Sequence, residues 1–233
     1  MSPRSNAVLQ FPHKTTPILV NRKVPTRLKN ADYRSREYLT EDEVEKLMDA
    51  AGRVGRHGHR DSTLIMLAYR HGLRVTELVS LRWDQIDLKQ GLLHINRLKQ
   101  GNASVHPLRG PELRALRRVQ REYPILPYVF ISERRAPLTD DAVRKIVTRA
   151  GTEAQLPFSV HPHMLRHACG YKLAQAGQDT RAIQHYLGHK NIQHTVRYTQ
   201  LSPERFKKAR SKTKCNNFRR KMLHGKSLQA VEC

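Results

Sequence analysis

Two rhythms of apolar and polar positions divide this chain. Residues 60–71 form a nearly all-apolar stretch, which predicts a buried helix, and Gly72 supplies the left-handed stop at its end. Ahead of it, Thr40-Glu41-Asp42-Glu43 spells a capping box. The Thr40 hydroxyl can accept an amide proton while Glu43 reaches back, which opens a helix to about residue 51. A short helix is expected over 75–82. The period then drops to two: residues 85–88, 92–98 and 103–108 read as short strands joined at Lys89-Gln90-Gly91 and Lys99-Gln100-Gly101-Asn102. Helical patterning returns over 111–122, over 140–150 behind a Thr139 cap, and over 162–175. Gly177, Gly188 and Asn191 punctuate further short helices, the last opening at the Ser202-Pro203 pair. The expected fold is mainly α with a small antiparallel β-meander, an α+β arrangement without internal repeats.

Composition adds a partner. The 233 residues suit one large domain or a domain and a half, and 43 Lys plus Arg against 20 Asp plus Glu leave a net charge of +23. Such an excess calls for a polyanion. Much of it sits at the ends: residues 1–36 hold eight basic residues against one acidic, and residues 204–233 hold ten against two. With two proline clusters and no apolar period, residues 1–36 read as a basic, largely unstructured arm. Residues 37–201 read as the folded domain, and 202–233 as a basic helix and tail. Charge runs of this kind are often solvated and order only on a partner.

Other classes recede. Cys169, Cys215 and Cys233 are odd in number and form no C-x-x-C pair, so no disulfide framework or cysteine-based zinc site is indicated, and a reducing compartment fits. The longest clean apolar run, Thr63 to Tyr69, falls far short of the ~20 residues a membrane helix needs, and no secretory apolar region opens the chain. No membrane is expected, and the localisation read from these features is cytoplasmic, in association with the nucleoid.

The densest polar cluster is His161-Pro162-His163-Met164-Leu165-Arg166-His167, followed by Leu187-Gly188-His189 and then Tyr198. On a helix His163, Arg166 and His167 share a face. His161, His163, His167 and Cys169 resemble a zinc set superficially. The nearest acids, Glu153 and Asp179, are distant in sequence, however, and Arg166 among the ligands would repel a dication. No metal and no cofactor is expected.

Arg74 in His71-Gly72-Leu73-Arg74-Val75-Thr76-Glu77-Leu78, Lys99 at a hairpin tip, H-x-x-R at His163 and Arg166, G-H at His189, and Tyr198 nine residues later follow one another in an order that resembles the tyrosine recombinase/integrase family. The resemblance spans residues 38–200. Within the family it is nearest to the short fimbrial phase-variation recombinases, which invert a promoter segment; R-L-K-x-G, H-P-L-R and H-P-H-M-L-R-H-A-C-G-Y carry it. As in them, a separate N-terminal helical DNA-clamping domain is not expected, and the basic arms are the expected substitutes for it. The resemblance implies the family's catalytic-domain fold, double-stranded DNA as partner, a homotetramer on paired DNA sites, and possible DNA-bending accessory proteins. It also implies His163 as general base, Lys99 as the acid for the leaving 5′ oxygen, and DNA inversion or integration as outcome.

These residue types suit phosphoryl transfer. A tyrosine hydroxyl with a pKa near 10 is a weak nucleophile at neutral pH and needs a base or a positive field. Planar guanidinium forks, here Arg74 and Arg166, clamp the non-bridging oxygens of a phosphodiester under attack, with His189 bonding the same phosphate. Glu77, one turn beyond Arg74, is expected to orient an active-site arginine. There is no phosphate-binding glycine loop and no carboxylate pair for two magnesium ions. Two other readings share the charge: a non-catalytic DNA-binding regulator of the same fold, for which Tyr198 would have no use, and a type IB topoisomerase-like activity.

Overall fold

The computed structural model describes residues 37–97, 103–123 and 126–200. Lys99, the arms at 1–36 and 202–233, and the helix expected from Ser202 all fall outside them.

The first helix, α1 (Glu41–Arg53), opens on the expected capping box: Thr40 Oγ1 accepts from the Glu43 amide at 3.4 Å, and the Thr40 amide donates to Glu43 Oε2 at 2.9 Å. The apolar stretch becomes α2 (Gly58–Arg70), two residues longer at its start than the sequence pattern suggests. Its Gly58 packs so closely on Gly52 of α1 that no side chain fits between them. Gly72 follows with φ +59°, and a Cβ there would stand 2.4 Å from Leu187. This glycine is needed both for its backbone and for its lack of bulk. The next helix, α3 (Val75–Val79), is shorter than expected.

The meander consists of β1 (Ile86–Asp87), β2 (Leu92–Ile95) and β3 (Ser104–Pro107) in the order β1-β2-β3, antiparallel throughout, with Leu93 opposite His106 and Ile95 opposite Ser104. β2 ends three residues before the expected boundary. Past it, the Arg97 side chain turns inward to Glu77 and to the carbonyl of Tyr186 instead of continuing the alternation. Four further helices complete the described residues up to residue 187: α4 (Gly110–Glu122), α5 (Asp140–Glu153) behind the Thr139 cap, α6 (Pro162–Gln175), and α7 (Thr180–Leu187) behind an Asp179 cap. The last described helix is α8 (Gln193–Gln200).

The main core joins α1, α2, α5 and α6 around Leu47, Leu64, Leu67, Val147, Met164 and Leu165, all fully buried, with Leu93 and Phe130 entering from the meander side. Helix α6 is apolar on nearly every face and runs through the middle, packed on α2, α7 and α8. A smaller cluster of Cys169, Ala174, Ile183, Leu187 and Tyr198 fills the space between α6, α7 and α8. No helix among the described residues is long and apolar enough to cross a membrane.

Gly72→Ala should destabilise the fold by about 2–4 kcal/mol, since it combines a strained left-handed backbone with overpacking against Leu187. In a domain of this size that lowers the melting temperature by roughly 10 °C. A thermal melt followed by circular dichroism checks it.

Candidate active site

Arg74 is the residue from which α3 starts. Its backbone N–H donates to Glu77 Oε2 at 2.9 Å and its Nη1 to Glu77 Oε1 at 2.7 Å. Glu77 is buried, and its Oε2 also accepts from Nη1 of the fully enclosed Arg97 at 2.7 Å. Burial would raise the Glu77 pKa, but Arg97 and the bonds from Arg74 outweigh it and hold the carboxyl below its usual range. Glu77 therefore orients Arg74, the part the sequence reading assigned to it. A quarter of the Arg74 side chain stays open to solvent.

Arg166 projects from α6 and is buried, 2% exposed. Its Nη1 donates to the carbonyl of Gly72 and its Nη2 to the carbonyl of Leu187 at 2.6 Å. One fork thus ties the end of α2 to the end of α7. Burial, then Arg74 and Arg97, lower its pKa to about 10, so it stays charged at neutral pH. One turn away on α6, the His163 and His167 rings stack at 4.5 Å, His163 outermost and exposed, His167 buried.

Helix α7 ends on Gly188 at φ +64°, and that reversal turns His189 back toward α8. His189 Nδ1 lies 2.9 Å from the hydroxyl of the buried Thr195. Tyr198 comes from α8 and is itself a core residue, 1% exposed, packed edge-on against Tyr171 at 5.0 Å and flat against Gly170, where a Cβ would approach its ring to 2.7 Å. Its ring lies 6.3 Å from His189. Its hydroxyl is 2.8 Å from Nδ1 of His167.

The structure therefore brings Arg166, His163, His189 and Tyr198 into one neighbourhood, with Arg74 close enough for its charge to lower the pKa of Arg166, His163 and His189. Burial sets the protonation states. It raises the Tyr198 pKa to about 12 in spite of the opposing charges of Arg166 and Arg197. It lowers His189 and His167 to about 3 each, with Arg166 and Arg74 adding to the effect at His189 and His163 at His167. His163 moves in the same direction, through lost hydration and then Arg166 and Arg74. At neutral pH the site holds a protonated phenol, neutral imidazoles and charged guanidinium groups.

Three residues escaped the sequence reading. His167 was placed on the helix face of His163 and Arg166 and in a discounted zinc set but given no role beside the tyrosine, yet it is the imidazole that touches the Tyr198 hydroxyl, in place of His163. Thr195, which aims His189, is an unremarkable helical threonine in sequence. Arg97 stood in an expected strand. The discounted zinc set is not assembled: the two histidines stack, and the Cys169 thiol turns toward the carbonyl of Arg70 at 3.6 Å. No group of three or more His, Cys, Asp or Glu side chains placed to hold a metal occurs among the described residues.

Residues 37–205 match the phage integrase family model. The type 1 fimbriae regulatory protein FimE of Escherichia coli K12 is 48% identical over 177 residues, covering 73% of this chain and 89% of FimE. FimB of the same strain is 43% identical over 181 residues, covering 76% and 90%. The tyrosine recombinase XerC of Bacillus pumilus is 32% identical, covering 78% and 62%. Among solved structures, the crystal structure of XerA recombinase superimposes with a TM-score of 0.65 at 25% identity, covering 76% of this chain and 64% of XerA. The post-cleavage complex of XerH with palindromic difH does so with 0.63 at 25%, covering 75% and 52%. The chain thus spans between about half and two-thirds of those solved recombinases.

The buried neutral histidines make stability depend on acid. His106, stacked at 3.8 Å on Tyr186, has a pKa of about 3 through burial and the neighbouring His71, and His167 matches it. Both lie far below the value of about 6.5 in an unfolded chain. Their contribution is complete above that value and is lost as pH falls from it toward 3. Urea denaturation should show a loss of about 2 kcal/mol per histidine between pH 7 and pH 5. His106→Phe should remove about a third of the combined pH dependence of His106, His167 and His189, all of which burial brings to a pKa of about 3.

Proposed function

The chain belongs to the phage integrase family and is a tyrosine recombinase, and from that premise we propose that it cuts and rejoins DNA at defined sites with Tyr198 as the nucleophile. The observation that carries the reading is the shared location of the Tyr198 phenol with a buried, charged Arg166, a carboxylate-oriented Arg74 and His189. Pure DNA binding has no use for a tyrosine packed into that position.

In the proposed step the Tyr198 oxygen attacks the scissile phosphorus, an O–P bond forms, and the bond to the 5′ oxygen breaks. The phenol must lose its proton. With His167 near 3 and Tyr198 near 12, direct transfer between them is strongly uphill without substrate. A bound phosphodiester favours the protonated imidazoles around it, and the charges of Arg166 and Arg197 oppose its unfavourable effect on the phenolate. His163, the exposed ring of the stack, is the general base of this reading: it takes the phenol proton through a bridging water and releases it to solvent. Arg74, Arg166 and His189 hold the non-bridging oxygens, and Lys99 protonates the leaving 5′ oxygen. The 3′-phosphotyrosyl bond keeps the energy of the cut strand, so a 5′ hydroxyl can reverse the step without an external energy source.

DNA is the partner that the charge and the DNA-bound solved relatives support. Strand exchange between two duplexes needs four such sites, so the working form is a homotetramer on paired sites, with the basic segments 1–36 and 202–233 gripping phosphates and DNA-bending proteins assisting. The similarity to FimE and FimB favours inversion as the outcome. The protein acts in the cytoplasm, at the nucleoid.

Tyr198→Phe should abolish the covalent protein–DNA adduct on a nicked suicide substrate and leave DNA binding within a few-fold. An adduct formed by the Phe variant refutes the assignment. Arg166→Ala or Arg74→Ala should slow cleavage by roughly a hundredfold to a thousandfold. Sequencing of recombinant plasmid distinguishes strand exchange from mere relaxation.

A further inference from the structure

Arg97 has no part in the chemistry outlined above, yet it is among the most constrained side chains of the domain. Its side chain is fully enclosed. Nη1 donates to Glu77 Oε2 at 2.7 Å and Nη2 to the carbonyl of Tyr186 at 2.6 Å, while Nε is buried with no hydrogen-bond partner. Glycine at 188 leaves room for it: a Cβ there would stand 2.6 Å from Nε and 3.0 Å from Cδ. A guanidinium buried with a donor unmatched is costly, and a neutral apolar side chain would relieve that cost.

Charge accounts for its presence. Glu77 is the carboxylate that orients Arg74, and a lone Glu77 bonded to Arg74 would neutralise the charge Arg74 must offer a phosphate. Arg97 shares that carboxylate from the other side. Two guanidinium groups on one carboxylate leave a net positive charge, and Arg74, the more exposed of the two, is where it can be used. The second fork arm holds the carbonyl of Tyr186, next to the Leu187 carbonyl held by Arg166, and so fixes the Gly188 turn that delivers His189.

We infer that Arg97 is a positioning residue for cleavage: by sharing Glu77 it keeps Arg74 net positive toward the scissile phosphate. The inference rests on the recombinase reading of Arg74.

The test replaces a non-bridging oxygen of the scissile phosphate by a methyl group in a nicked suicide substrate. A neutral phosphorus centre has no charge for Arg74 to offset. On the ordinary phosphodiester, Arg97→Met should cleave about tenfold to a hundredfold more slowly than the parent, with Arg74→Ala at least as slow. On the methylphosphonate both deficits should shrink to a few-fold. A purely structural defect would persist on both substrates. If Arg74→Ala recovers and Arg97→Met does not, or if Arg97→Met cleaves the ordinary substrate at the parent rate, the inference on Arg97 is overturned. If Arg74→Ala fails to recover, the phosphate-clamp reading itself fails and the inference falls with it. Should Arg97→Met not fold, Arg97→Lys and Arg97→Gln take its place. Cleavage kept by the charged variant and lost by the neutral one supports the inference, and equal loss in both overturns it.

Discussion

A guanidinium with no carboxylate within ion-pair distance among the described residues sits near the centre of this domain. Arg166 is held by two backbone carbonyls, those of Gly72 and Leu187, which neutralise none of its charge. Burying a charge is expensive, and the hydrogen bonds offset only part of the expense. What remains is a site short of an anion. The geometry around it follows from bringing those two carbonyls within reach of one fork. α2 must stop at Gly72 with a left-handed residue, α7 must stop at Leu187, and Gly72 must be bare enough for Leu187 to approach. The same two helix ends present Arg74 and His189.

Like charges this close work against one another. Arg74 and Arg97 depress the Arg166 pKa, and among the described residues Glu77 is the acid paired with Arg74 and Arg97. The imidazoles respond by staying neutral, His167 and His189 most strongly. An anion entering such a site would relieve repulsion already present between these guanidinium groups. The main core anchors the segments that carry these charges: Leu73 and Leu78 flank Arg74 and Glu77, and Met164 and Leu165 precede Arg166.

Tyr198, the proposed nucleophile, is packed as a core side chain. Gly170 makes the hollow into which its ring packs, and Tyr171, Ile183 and Leu187 close the cluster. Held so, and bonded to His167, the phenol is kept protonated and unreactive until the surroundings change.

Local chemistry was readable from the chain. The Thr40 box, the Gly72 stop, the Thr139 cap and the three short strands depend on neighbours a few residues away, and they form where the pattern puts them, apart from the early end of β2. Glu77 facing Arg74 was also legible, because three residues on a helix start is a local distance. Contacts across long stretches of sequence were not. That His167 and not His163 meets Tyr198 depends on the rotation of α6 against α8, and that Arg97 leaves its strand for Glu77 depends on how α3 lies beside the meander. No period or spacing encodes such angles. They are decided when helices 20 to 90 residues apart bury their faces together, and so the tertiary structure alone determined which charged and polar groups share an enclosed space.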